Sequence, residues 1–234
     1  MPKHIGIIGV SPEGSSICYR MIGRRASEIE KPEHRPSVTL HNRPFSNYIS
    51  MIKAGDWEGV AEQLAKSVEI LEGAGCEFCI LPDNVSHYAL PMAQARSPLP
   101  IVNMIELVAD AIESNGCREI GLIGTKYVTF GSTYQTLLGL RGIKLHVPTD
   151  GDADAIDRII FTEAVYGSVR ERSVDVVAGV MDRLKGKGAE AVVLGASEAS
   201  LLLSGAMLPL PLFDPIELLA EHAIAHALRE VEVA

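Results

Sequence analysis

The sequence contains an internal duplication, and this feature constrains the fold more than any other. Three blocks recur in the same order, about 111 to 115 residues apart: residues 5–9 with 120–124, residues 71–81 with 184–194, and residues 98–107 with 209–218. Solenoid repeats have much shorter periods, so the pattern predicts two similar domains rather than a repeat array.

Each half alternates short apolar strands with amphipathic helices. Residues 4–10 form an apolar run typical of a strand buried on both faces, and residues 56–74 place apolar side chains at the helical period. Such alternation predicts parallel sheets with right-handed crossovers. We therefore expect an α/β fold of two pseudo-symmetric Rossmann-like or flavodoxin-like domains with an active-site cleft between them. The predicted domains are residues 1–98 with 208–234, and residues 99–207.

The carboxyl ends of the predicted strands are the candidate binding positions, because ligands of parallel sheets bind there. These ends are predicted at residues 9–11, 41–43, 83–87, 125–129 and 196–198. The loop at residues 41–48, with Arg43 and Asn47, is expected to help select the substrate. Two further stretches are predicted to be irregular: a loop at residues 42–46 and an insert at residues 148–153 before a helix at residues 155–167.

Bulk composition narrows the class of protein. The formal net charge of −9 argues against a nucleic-acid-binding surface but not against a small anionic substrate. No apolar run is long enough to span a bilayer, and the N-terminus has no signal-peptide pattern. Four cysteines in 234 residues do not indicate a disulfide scaffold, so a cytoplasmic protein is expected.

The aligned halves single out a few side chains for chemistry. The alignment places Asp83 opposite Ala196 and Asn84 opposite Ser197, so only the first half has an ionisable group at the first of these positions. A carboxylate there suits proton transfer at a carbon atom, although aspartate also favours turns as a capping residue. The polar side chains predicted to hold a substrate carboxylate are Ser11, Asn84, Thr125 and Ser197.

Several of these motifs resemble one known family. Residues 6–14 resemble its opening strand and loop, residues 82–87 its first catalytic loop, and residues 194–198 its second. The family is the aspartate/glutamate racemase superfamily, which includes hydantoin racemases, maleate isomerases and arylmalonate decarboxylases. The resemblance implies a cofactor-independent homodimer that transfers protons at Cα of a small amino acid or carboxylate, with no metal.

The departures from the family pattern concern its two catalytic cysteines, which are Asp83 and Ala196 in this chain. Free aspartate, with a pKa of about 3.9, is a weaker base than cysteine unless an apolar pocket raises that pKa. Ala196 has no proton to give, so water, Ser197 or Glu198 would have to replace it. Two origins of Ala196 stay open: a natural loss and an engineered replacement of cysteine.

Other residues of the two loops have alternative roles. Val85 stands where the family usually has threonine, and Val85 and Ser86 are expected beside the substrate. His87 either binds substrate or caps and packs a helix start. Glu198 is either a site residue or a carboxylate favoured at a helix N-terminus.

Three functions remain open from the sequence: a racemase, a one-base decarboxylase or maleate-type isomerase, and a catalytically silent carboxylate-binding homologue. Two other patterns are interpreted as non-functional. The pair Cys76 and Cys79 is expected to point its thiols to opposite faces of a strand, and His222 and His226 lack the partners of a metal motif.

Overall fold

A computed structural model describes residues 1–199 and 208–229. The first half of the chain alternates strands and helices in the order β1 Ile5–Gly9, α1 Pro12–Ser27, β2 Val38–Asn42, α2 Phe45–Ala54, α3 Trp57–Gly73, β3 Phe78–Ile80, α4 Leu90–Gln94 and β4 Ile101–Val102. Short 3-10 helices lie at Pro32–His34 and Ser86–Ala89.

The second half repeats the scheme. Its elements are α5 Met104–Ser114, β5 Glu119–Gly124, α6 Lys126–Thr129, α7 Ser132–Leu140, β6 Lys144–His146, α8 Asp150–Thr162, α9 Glu171–Gly186, β7 Ala191–Gly195, β8 Leu212–Phe213 and α10 Pro215–Leu228, with a 3-10 helix at Ala164–Tyr166.

The strands form two parallel four-stranded sheets with the same topology. The orders are β2-β1-β3-β4 and β6-β5-β7-β8, so the predicted α/β fold with parallel sheets is confirmed. Every residue of β1 is buried, because a central parallel strand is covered by helices on both faces. The helices that cover the sheet also connect its parallel strands, which explains why strands and helices alternate along the sequence.

Equivalent glutamates start the equivalent strands β3 and β7. Glu77 accepts a hydrogen bond from the backbone N–H of His4 (3.0 Å), and Glu190 accepts one from the backbone N–H of Glu119 (2.8 Å). These two glutamates occupy the same position in the sequence repeat. The duplication therefore extends from the sequence to individual hydrogen bonds.

The described chain forms two compact units. The first contains residues 1–104 and the stretch that begins at Ile216, and the second contains residues 105–215. The boundaries thus lie later than those predicted at residues 98/99 and 207/208. The reason is strand pairing: β4 pairs with β3 in the first unit, and β8 pairs with β7 in the second, so each unit keeps its last strand.

Each unit has its own buried core. In the first, side chains of α3 such as Leu64 and Val68 pack with Cys79 of β3, and in the second, Val177 and Met181 of α9 pack with Val192 of β7. Burial of apolar side chains on this scale is the main source of stability of both units.

Two irregular stretches predicted from the sequence are helical. Helix α2 begins at Phe45, inside the predicted loop, and ends at Gly55, whose φ of 69° is the left-handed conformation that favours glycine. Helix α8 begins at Asp150, inside the predicted insert, because the Thr149 side chain accepts a hydrogen bond from the N–H of Asp152. Turn-forming residue types thus precede a helix start in both stretches, and in α8 the Thr149 side chain also caps it.

The two thiols of Cys76 and Cys79 lie on the same side of the sheet, contrary to the prediction. A Cβ atom on Gly6 would lie 2.9 Å from the Cys79 Sγ and 3.3 Å from the Cys76 Sγ. Cys76 precedes β3, so strand alternation does not apply to it. Burial raises the pKa of Cys79 to about 12, which keeps this thiol protonated and unreactive.

Among the helices of the described residues, none is both long and apolar enough to cross a membrane.

Candidate functional site

Asp83 lies in the loop that follows β3, where it is 9% exposed. Its Oδ1 accepts a hydrogen bond from the backbone N–H of Ser86 at 2.7 Å, at the start of the 3-10 helix. Burial raises the pKa of Asp83, although the N–H and hydroxyl of Ser86 and the N–H of Val85 oppose that rise. A carboxylate with a raised pKa is a better base than free aspartate.

The equivalent loop after β7 uses a different hydrogen bond. The backbone N–H of Ala199, which corresponds to Ser86 in the repeat, donates to the backbone carbonyl oxygen of Ala196 at 3.0 Å. In the first unit the Asp83 carboxylate replaces this backbone acceptor.

His87 connects the Asp83 loop to the start of α5. Its Nδ1 lies 2.7 Å from the carbonyl oxygen of Asp83, and the backbone N–H of Met104 donates to its Nε2 at 3.0 Å. A carbonyl only accepts and an N–H only donates, so His87 is the neutral tautomer with its proton on Nδ1. Burial lowers the pKa of His87 to about 4. Both ring nitrogens are used within the first unit.

The end of β2 and the residue after it carry buried polar atoms that have no hydrogen-bond partner among the described residues. They are the His41 Nδ1, the Asn42 Oδ1 and the Arg43 Nε. Most buried polar groups in proteins are paired, so a cluster without partners indicates a place for ligand or water.

Charges connect this cluster to Asp83. Burial raises the pKa of Tyr48; the negative charge of Asp83 adds to the rise, while Ser67 and the positive charge of Arg43 oppose it. Arg43 is held in place by a hydrogen bond from its Nη1 to Gln63 (2.9 Å). The sequence prediction included His41 and Arg43 in the strand end and Tyr48 in the loop at residues 41–48, but it named only Arg43 and Asn47 for substrate selection.

The remaining first-unit residues named from the sequence lie at the same edge of the sheet. Ser11, Asn84 and Ser86 are buried, and Val85 is half-buried. The Ser11 hydroxyl accepts a hydrogen bond from the N–H of Gly14 (3.3 Å) and so caps α1. Ser11 therefore has a structural role whether or not it also contacts a substrate.

The second unit brings its named residues together at the carboxyl ends of β5 and β7. Gly124 and Gly195 are neighbours in the sheet, and a Cβ on Gly195 would lie 2.7 Å from Val128 Cγ1, so α6 packs against the end of β7. The side chains at this edge are all buried: Thr125, Ala196, Ser197 and Glu198. The Thr125 Oγ1 has no hydrogen-bond partner among the described residues.

The family pattern of the Asp/Glu/hydantoin racemases matches residues 7–223. The chain belongs to this racemase family. A Yersinia pestis protein assigned to the Asp/Glu racemases is 29% identical, with a TM-score of 0.85 over 97% of this chain and 100% of that one. An aspartate racemase homologue from Pyrococcus horikoshii is 27% identical, with a TM-score of 0.81 over 96% and 99%. The family and these relatives support a racemase-type function.

A more distant relative shares only the fold. Glutamate racemase from Francisella tularensis, solved in complex with D-glutamate, has a TM-score of 0.70 at 13% identity, over 99% of this chain and 83% of that one. The family match and the first two structures confirm the racemase resemblance drawn from the sequence motifs.

Proposed function

We propose that this racemase-family chain is a cofactor-independent isomerase that exchanges a proton at Cα of a small amino acid or related carboxylate. Asp83 is its acid/base group, and position 196 is the degenerate counterpart. The observation that carries the proposal is the buried Asp83 carboxyl, whose pKa is raised. In the proposed step, the Asp83 carboxylate removes the Cα proton and becomes a carboxylic acid. This acid exchanges its proton with solvent and then returns a solvent-derived proton to Cα.

Arg43 is proposed to bind a carboxylate of the substrate. Its buried Nε has no hydrogen-bond partner in the described part of the chain, and the charges of Arg43 and Asp83 both act on the pKa of Tyr48. A guanidinium is the side chain best suited to carboxylate recognition. The other proposed substrate contacts are Ser11, Asn84, Val85, Ser86, His87 and Thr125.

The second proton donor is proposed to be Ser197, Glu198 or water. Ser197 and Glu198 directly follow Ala196 and are 4% and 5% exposed. The second candidate function is a one-base reaction, such as decarboxylation or cis–trans isomerisation of a dicarboxylate. Ala196 favours it because alanine has no acid/base group. The family resemblance also implies a cytoplasmic homodimer, which stays a prediction.

The deciding experiment follows exchange of the α-proton in deuterated water by NMR with a panel of amino acids. We expect wild-type protein to exchange the proton with little racemisation, Asp83→Asn to lose exchange, and Ala196→Cys to gain racemisation. Exchange should rise with pH through a value above 3.8, the ordinary pKa of aspartate, because the basic form is required.

Asp182→Asn, a change at an exposed carboxylate on α9, is the matched control and should leave exchange unchanged. Exchange that persists in Asp83→Asn would overturn the assignment of Asp83. Saturable binding of a carboxylate without exchange in wild type or Ala196→Cys would instead support a catalytically silent homologue.

A further inference from the structure

A cavity of about 350 Å³ lies in the second unit, beside α8 and the first turns of α9. Three arginines line it, Arg158, Arg170 and Arg172, together with the single carboxylate of Glu163. The candidate site residues Thr125, Ala196, Ser197 and Glu198 do not line it. The cavity is positively charged although the whole chain carries a formal net charge of −9.

The carboxylate of Glu163 is already engaged. It accepts hydrogen bonds from the backbone N–H of Arg170 (2.9 Å) and the hydroxyl of Ser173 (3.1 Å), and the Arg170 guanidinium lies 3.7 Å away. These contacts hold the pKa of Glu163 below its usual range, so the group stays ionised and fixes the turn before α9. Its lone pairs are directed at these partners.

Arg158 and Arg172 have no such partner. Neither side chain makes an ion pair or a side-chain hydrogen bond with any residue in the described part of the chain. Arg183, on the same helix as Arg172, is instead paired with Asp152 at 2.6 Å. The charge of Arg172 contributes to the lowered pKa of Glu163, but the Arg172 guanidinium makes no close ion pair with that carboxylate. Two guanidinium groups without a close acceptor beside one cavity favour binding of an anion that carries two negative charges.

The remaining walls limit the size and character of the ligand. Ile159 and Val176 supply apolar surface beside the arginines. The volume is at the lower end of the range for small-molecule sites. We propose that this cavity binds a compact organic dianion, such as a phosphomonoester or a short dicarboxylate, through Arg158 and Arg172.

The test is calorimetric titration of the full chain with inorganic phosphate and with malonate, at constant ionic strength, and with acetate as a monoanion. We expect saturable binding of at least one dianion and much weaker binding of acetate. The double variant Arg158→Gln/Arg172→Gln should weaken dianion binding at least about tenfold, because each charge-assisted hydrogen bond lost exceeds that threshold.

Two further variants keep the result interpretable. Val176→Phe should block binding without a change of charge, and it is tolerable because Val176 is 41% exposed. Arg118→Gln, at an exposed arginine of the same unit, is the control and should bind as wild type does. Absence of saturable binding, or equal weakening in Arg118→Gln and the double variant, would overturn the proposal.

Discussion

His87 illustrates how one buried side chain can fix the loop that holds the proposed acid/base group. It bridges the carbonyl of Asp83 and the N–H of Met104, and both contacts require the neutral ring. Protonation would remove the acceptor at Nε2 and place a charge in a buried site. At acid pH the loop that holds Asp83 therefore loses its connection to α5.

This arrangement predicts a pH-dependent loss of stability. The folded-state pKa of His87 is about 4, below the unfolded value of 6.5, so the unfolded chain binds the extra proton between these values. The stabilisation is complete above pH 6.5 and is lost as the pH falls toward 4, by about 3 kcal/mol. Urea unfolding of wild type and His87→Gln at several pH values should show this difference.

His87→Gln removes the titrating group. The difference in the free energy of unfolding between this variant and wild type should therefore change between pH 4 and pH 6.5 and stay constant above pH 6.5. A constant difference in the free energy of unfolding between pH 7 and pH 4 would show that His87 is not held neutral.

The elements of the two units use the same devices at equivalent positions. Glu77 and Glu190 bind the backbone before β1 and at the start of β5, and the backbone N–H groups of Cys79 and Val192 donate to Pro100 and Pro211. The loops after β3 and β7 depart from this symmetry at Asp83 and Ala196. The contacts that both units share serve folding. The residues that differ between the two loops are the ones assigned to the proposed reaction.

Helix α3 offers a test of local capping at the element scale. The Asp56 side chain accepts a hydrogen bond from the N–H of Gly59 at 2.9 Å and lies at the helix N-cap. Asp56→Ala should lower the free energy of unfolding by about 1 kcal/mol, whereas Asp56→Ser should keep most of the stability that the cap supplies. Chemical unfolding measures the free energy of unfolding of both variants. Equal losses in the two variants would indicate that capping is not the cause.

At the scale of the whole molecule, the chain crosses between its two units twice. The helix that follows β4 belongs almost entirely to the second unit, and the helix that follows β8 belongs to the first. As a result, only the second unit is one continuous segment, residues 105–215. It contains a complete four-stranded sheet and a core of its own.

The segment 105–215 should therefore fold when it is expressed alone. We expect a far-UV circular dichroism spectrum of mixed helix and strand and a single cooperative thermal transition, because a complete core supplies the cooperativity. The full-length chain serves as the comparison. A broad, non-cooperative transition would show that this core is not sufficient for folding.

Much of the fold was predictable because the relevant signals are local. The apolar runs of the central strands and the helical period of α3 predict burial, and each of these patterns is formed by residues of a single segment. Helix α2 was missed because Asn42, Pro44 and Ser46 are typical of turns, and their role as the lead into a helix depends on packing of Tyr48. Turn chemistry and helix starts use the same residue types.

By itself the sequence determined the repeat, the parallel α/β scheme, the racemase resemblance and the equivalence of Asp83 with Ala196, because each depends on order and spacing along the chain. Only the tertiary structure decided the unit boundaries, the common side of the two thiols, the two contacts of His87 and the unpartnered atoms around Arg43. These depend on which strands pair and which groups meet across large separations in sequence, which no local pattern encodes.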